Sequence, residues 1–218
     1  MEESTSREKI LKKLRAALMT KSRMEPGAID FESNVFQSFE ESLELVFAQQ
    51  FSDVGGQFIF CENDQDFTDN IAALLQDNSF GKVWCGDVEL IPLLETAQIK
   101  FDRQIPVNDA DTTITGCEYL IARTGSIMVS SKQVSGRRAA YVPSNHIVVA
   151  RTSQLVMHLK DALRELKSKY NDQPPSMTTI ITGPSRSADI EKILTTGAHG
   201  AKELYLFLID DLEWNPEA

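Results

Sequence analysis

Residues 177–208, MTTIITGPSRSADIEKILTTGAHGAKELYLFL, constrain the fold more than any other stretch of this chain. The β-branched run Thr178, Thr179, Ile180 and Ile181 has the composition of a buried strand. Gly183-Pro184 interrupts it. Ser187 stands where a helix N-cap belongs, with Asp189 and Glu191 placed to favour the positive end of the helix. Ile190, Ile193 and Leu194 give that helix an apolar face. Gly197 and Gly200 enclose Ala198-His199, and Leu204, Leu206 and Leu208 begin a last strand. The pattern is a terminal β-α-β unit whose two glycine turns carry Ser185, Arg186, Ser187, Asp189 and His199, more polar chemistry than a connector requires.

The rest of the chain alternates in the same sense. An amphipathic helix is expected over 4–22, with acids first and bases last, followed by Pro26-Gly27 and a linker. That gives an N-terminal helix and linker, 1–36, ahead of an α/β domain, 37–218. Within the domain, helices are expected at 38–50, 64–76 and 88–97, the last with Pro92 in its first turn. Strands are expected at 58–61, 83–85, 119–122, 126–129 and 147–150, with a short edge strand at 99–101. A long helix is expected from Ser153, as N-cap, to about Tyr170, with His158 in its middle. The periodicity supports an α/β fold: a mostly parallel sheet with helices on both faces.

Composition removes several function classes. A net charge of −10 argues against non-specific nucleic-acid binding, which draws on neutralised phosphates. Cys61, Cys85 and Cys117 are far apart, without a C-x-x-C pair, and read as buried reduced thiols. No histidine pair has metal-ligand spacing, and neither a P-loop nor a G-x-G-x-x-G fingerprint occurs, so no metal or cofactor is expected in this chain. The charged N-terminus does not resemble a signal peptide, and no apolar run reaches the roughly 18 residues of a membrane helix. A cytoplasmic protein without membrane insertion is the expectation.

The window 119–151 contains Arg123, Lys132, Arg137, Arg138 and Arg151 but no Asp or Glu. It reads either as a site for a carboxylate or phosphate, or as a solvated hairpin pairing with acids elsewhere. Thr124-Gly125-Ser126 can offer backbone N–H groups and two hydroxyls to an anion; equally, it can be a turn that needs glycine for positive φ. The GPSRS loop lies between a strand and a helix start, where anions bind, and Arg186 adds charge; against that, Asp189 and Glu191 already occupy the helix start, which favours a capping role or an Arg186–acid pair. His146 and His199 are either acid–base groups or hydrogen-bonded loop histidines.

Two blocks carry a family resemblance: TGPSRSADIE followed by GAHG, and TGCEYLIARTGSIMV. Together they resemble the signatures of the lactate-utilisation (LUD) domain of the LutC/YkgG family. Arg123 replaces an acid common in the family, and Ala201 replaces a proline. The resemblance implies the fold group of ribose-phosphate isomerase A, glucosamine-phosphate deaminase and the CoA transferases (NagB/RpiA/CoA transferase-like). It implies a part in oxidising L-lactate to pyruvate alongside iron–sulfur partner proteins that hold the redox centres. This chain would then bind a small organic anion or dock the partners, through Thr124, Gly125, Ser126, Arg137, His146, Ser185, Arg186, Asp189, Glu191 and His199. The alternative is a free-standing isomerase- or CoA-transferase-like enzyme acting on a phosphorylated or carboxylate substrate. It would use Asp189 or Glu191 as base, or His199 as acid–base.

Overall fold

The computed structural model describes residues 10–13, 15, 41–76, 80–136, 138–187, 195–197 and 200–211. Two compact units are distinguished, 1–38 and 39–218. In the first, residues 10–13 and 15 are helical. The second contains α1 (Leu43–Asp53), β1 (Gln57–Cys61), α2 (Asp64–Leu75), β2 (Val83–Cys85), α3 (Ile91–Thr96), β3 (Thr112–Thr115), β4 (Tyr119–Ile121) and β5 (Ser126–Ser130). It continues with β6 (Asn145–Arg151), β7 (Leu155–Val156), α4 (Leu159–Lys169), β8 (Thr178–Thr182), β9 (Arg186–Ser187), β10 (Thr195–Thr196) and β11 (Glu203–Ile209). No helix among the described residues is long and apolar enough to cross a membrane.

Five strands form a wholly parallel sheet in the order β1-β11-β6-β3-β2. The central strands β6 and β11 are apolar on both faces, as a covered parallel sheet requires. Ile147, Val149, Tyr205, Phe207 and Ile209 pack with Phe67 and Ile71 of α2 and Leu94 of α3. The alternate residues Val148, Ala150, Leu204, Leu206 and Leu208 pack with Phe47 and Phe51 of α1 and with Leu120 and Ile127 of a second sheet. Helices therefore cover both faces. The second sheet, β7-β4-β5-β8, is mixed, and its outer side takes Ala162 and Leu166 of α4 against Ile121 and Met128. Local chemistry agrees with these elements. The Asn63 side chain caps α2 by accepting the Asp66 N–H at 3.0 Å, and Pro92 sits in the first turn of α3.

Four expectations are corrected. Residues 99–101 form no strand; one backbone bond, Asp102 N–H to the Val83 carbonyl at 2.9 Å, ties that segment to the sheet edge. The strand next to β2 is instead β3, whose threonines hide it in a hydropathy pattern. They enter the core because their hydroxyls are paired: Thr112 with the Phe80 carbonyl, Thr113 with the Ala139 carbonyl and Thr115 with His146. The long helix begins at Leu159, with His158 at its N-cap position. Ser153 lies in a 3₁₀ turn and donates both its N–H and its hydroxyl to the Asp211 carboxylate. Finally, β8 and β11 belong to different sheets, so 177–208 is not a crossover within one sheet. The helix expected between them lies outside the described residues; β9 and β10 at its margins pair antiparallel.

Candidate functional site

The two glycine turns singled out in the sequence adjoin. Ser126 pairs with Thr182 across β5 and β8, and their hydroxyls are 2.8 Å apart. Both turns close on the end of α1. Gly125 has φ +56°, and a Cβ there would stand 2.3 Å from the Phe51 backbone nitrogen. Gly183 has φ +72°, and its Cβ would stand 2.4 Å from the Val54 carbonyl oxygen. Arg186 donates to that same carbonyl at 3.1 Å, placing a cation at the negative end of the helix. Thr124 accepts from the Ser126 hydroxyl at 2.7 Å. The space next to this Thr-Gly-Ser turn is thus filled by α1.

Ser185 bridges the second pair of loops. Its N–H donates to the Ala201 carbonyl, and its carbonyl accepts the Gly197 N–H, both at 2.9 Å. It lines a cavity of about 190 Å³ with Tyr141, Gly183 and Gly200. Ala201 precedes β11, so this cavity lies at the amino edge of the parallel sheet. His146 is fully buried inside β6, with Nε2 2.8 Å from the Thr115 hydroxyl. Burial pushes its pKa down from 6.5 to about 4, so it is neutral at physiological pH. Arg137, Asp189, Glu191 and His199 lie outside the described residues.

A larger crevice, about 360 Å³, opens at the opposite edge, beyond the carboxyl ends of β2, β3, β6 and β11. Open α/β sheets bind ligands at this edge. Its lining includes Asp87, Glu118, Lys132, Arg151, Lys169 and Tyr170. Glu118 is its centre of charge: a side chain with 0% exposure that accepts from Lys169 Nζ at 2.8 Å, the Tyr170 hydroxyl at 2.8 Å and the Ser130 hydroxyl. Burial alone would raise the Glu118 pKa. The bonds from Lys169, Ser130 and Tyr170 outweigh that and hold it below the usual carboxylate value. Burial likewise works against the Lys169 ammonium, and Glu118 reverses it, raising the lysine pKa. Lys132 sits 4.4 Å and Lys169 5.8 Å from the centroid of the Tyr170 ring. Arg151 pairs with Asp64 at 3.1 Å.

Sequence reasoning missed Asp87 and Glu118. The available signal was a glycine beside an acid just after a strand: Gly86-Asp87 after β2, and Gly116 two residues before Glu118 after β3. Glu118 fell immediately outside the acid-free window. Lys132 and Arg151, from that window, do reach the crevice, whereas the turn residues do not line it. Cys117, also at its wall, is buried, and desolvation pushes its thiol pKa up. No group of His, Cys, Asp or Glu suited to a metal ion occurs among the described residues.

A parallel sheet backed by a second, mixed sheet, with a polar crevice at its carboxyl edge, defines the chain as an α/β domain. The LUD domain model matches residues 45–209, and the chain belongs to that family. It is 34% identical to Lactate utilization protein C of Halalkalibacterium halodurans over 104 residues, 47% of this chain and 45% of that protein. It is 28% identical to the Bacillus licheniformis protein of the same name over 173 residues, 75% of this chain and 67% of that one. The chain spans about half the length of most of the curated relatives it matches. The fold is shared with a DUF162-family protein of Deinococcus radiodurans, with a TM-score of 0.58, 19% identity and coverage of 77% of this chain and 96% of that one.

Proposed function

We propose that this chain is a component of a lactate-utilisation system, supporting oxidation of L-lactate to pyruvate with iron–sulfur partner proteins. Its own task is to bind a small organic anion in the carboxyl-edge crevice. The observation that carries the reading is the crevice itself, where Lys132, Lys169 and Arg151 face Asp87, Glu89 and Glu118; Lys169 pairs with Glu118 and Arg151 with Asp64, while Lys132 has no carboxylate partner among the described residues. Similarity to proteins named Lactate utilization protein C supplies the pathway. Redox chemistry is assigned to the partners, because the chain's three cysteines are dispersed and buried.

The test is titration of the purified protein with L-lactate and pyruvate, followed by amide NMR. Saturable shifts at Gly116, Lys132 and Lys169 are expected, with Lys132→Gln weakening both acids by about three- to tenfold. Absence of saturable binding overturns the anion site. Growth on L-lactate after deletion of the gene checks the pathway: unimpaired growth overturns it. Stoichiometric iron in protein purified without oxygen overturns the division of labour.

A further inference from the structure

We propose that the free edge of β8 is a dimerisation surface, where a second copy of this chain pairs antiparallel with residues 178–182 and joins the two mixed sheets into one. The proposal is independent of the ligand that the crevice takes, since β8 does not line it.

β8 ends its sheet and bonds to β5 alone. The register fixes which backbone groups are left over. The Ser131 N–H donates to the Met177 carbonyl at 2.9 Å, one step beyond the Ser130–Thr178 pair. Hydrogen-bonded pairs alternate along an antiparallel ladder, so Thr179 and Ile181 also bond to β5. Thr178, Ile180 and Thr182 turn their N–H and C=O groups the other way, and none of these groups has a partner among the described residues. Sheets protect such an edge with a lysine, a proline, a bulge or a very short strand. β7, at the opposite end of this sheet, is two residues long. β8 has none of these devices: it is TTIIT, wholly β-branched, in unbroken register with β5, and its Ile180 is 38% exposed.

The occupant is a second copy, because the outward pattern is its own complement. Read in either direction, the residues with free backbone groups are Thr, Ile, Thr. Antiparallel pairing about a two-fold axis at Ile180 sets Ile180 against its copy. It also sets Thr178 of each copy against Thr182 of the other, and every facing pair exchanges both of its backbone bonds. Side chains of a facing pair lie on the same face, so the two isoleucines cover each other and threonine meets threonine, a favourable cross-strand pair. Charge permits the contact: residues 173–185 carry no Asp, Glu, Lys or Arg, in a chain whose net charge of −10 repels a copy elsewhere. Tyr141 and Val142 are also exposed, and Tyr141 lines a cavity with Thr179 and Ile181, so apolar surface continues beside the strand. Five paired residues a side fall short of the roughly 20–30 of a standard interface, which makes the dimer weak, with a dissociation constant on the order of 10 μM.

Sedimentation velocity of the purified chain, from about 1 to about 300 μM, reads the equilibrium. Wild type should pass from monomer to dimer across that range. Added salt should not dissociate the dimer, since screening relieves the repulsion between like-charged copies. Hydrogen exchange reads the register without any substitution: the amides of Thr178, Ile180 and Thr182 should gain protection as concentration rises, while those of Thr179 and Ile181 stay protected throughout. Ile180→Lys sets like charges against each other, and Ile180→Pro removes an outward donor without touching the β5 ladder. Each should weaken association at least about tenfold, with an unchanged circular dichroism spectrum. Phe60→Lys, on the terminal strand β1 of the parallel sheet, should leave association unaltered. A wild type that stays monomeric at the highest concentration overturns the proposal. So does a dimer that salt dissociates, that Phe60→Lys breaks, or that both Ile180 variants leave intact. Dimerisation without added protection at Thr178, Ile180 and Thr182 overturns it as well, whatever the variants do.

Discussion

The hydroxyls of Ser126 and Thr182 are 2.8 Å apart, and this bond joins the two strands from which the glycine turns emerge. On either side of it the backbone takes positive φ, at Gly125 and at Gly183, and both turns wrap the end of α1. The most recognisable glycines of the chain are thus spent on seating a helix. The proposed anion site lies at the far edge of the sheet, and the following predictions separate the two regions.

Gly125→Ala should be severely destabilising. Left-handed φ alone costs roughly 1–2 kcal/mol for a residue with a Cβ. Here the new methyl also meets the Phe51 backbone at 2.3 Å. Gly136→Ala is the internal comparison, since it has φ +65° and nothing within 4 Å. Chemical denaturation should show Gly136→Ala losing about 1 kcal/mol and Gly125→Ala at least about 3 kcal/mol. Equal losses would mean that α1 moves aside freely.

Arg186→Ala should reduce stability slightly and leave organic-acid affinity unchanged. Its guanidinium serves the Val54 carbonyl at the end of α1. One hydrogen bond at an exposed helix terminus contributes about 0.5–1.5 kcal/mol. Melting temperature and L-lactate titration of the same sample provide the check. A variant with normal melting and lost binding would return Arg186 to the ligand site.

Stability should fall with acidity between pH 6.5 and about 4 on account of His146. The folded protein keeps this histidine neutral, while the unfolded chain takes up a proton below about 6.5. The histidine's contribution is therefore fully present above the unfolded value and is lost as pH falls to the folded one. The loss amounts to about 3 kcal/mol. His146→Gln should flatten this part of the profile; an unchanged slope would assign it to other groups.

Lys169→Met should be costly at pH 7 and less so in acid. The lysine side chain is 48% exposed and its partner Glu118 is 0% exposed, so removing the lysine strands the buried member of the pair. A loss of about 1.5–3 kcal/mol is expected at pH 7. In the wild type, the depressed Glu118 pKa stabilises above the ordinary 4.5 and that benefit disappears as pH falls through the folded value. The variant has little of it to lose, so the two denaturation curves should converge as pH falls below the ordinary 4.5 and through the folded Glu118 value. A constant gap across pH would show that Lys169 acts through packing alone.

Much of the fold was legible because its strands are short apolar blocks between glycine or acidic turns. Val83–Cys85 is legible with its observed bounds, Gln57–Cys61 within a residue, and the start of Glu203–Ile209 within a residue, at Leu204. Thr112–Thr115 was illegible for a physical reason: hydropathy counts a hydroxyl as polar, while the structure pairs each of these hydroxyls indoors. Which sheet a strand joins is not a local property, and β8 was accordingly placed beside β11. The site suffered from the same limit. Asp87 and Glu118 stand 31 positions apart, and only the adjacency of β2 and β3 brings their loops to one crevice. The basic window did point to Lys132 and Arg151, because charge composition survives without knowledge of topology.

The central strands β6 and β11 have a mechanical consequence. Successive side chains of each belong alternately to the core under α2 and α3 and to the core under α1. Neither hydrophobic cluster can loosen without withdrawing neighbours from the other, so the two should melt as one cooperative unit despite lying on opposite faces. Hydrogen exchange at Val148 and Ile147, or at Leu206 and Phe207, should then report a single opening free energy. The crevice opens where those strands end, and Arg151 and Ile209 on its wall are the last residues of that unit.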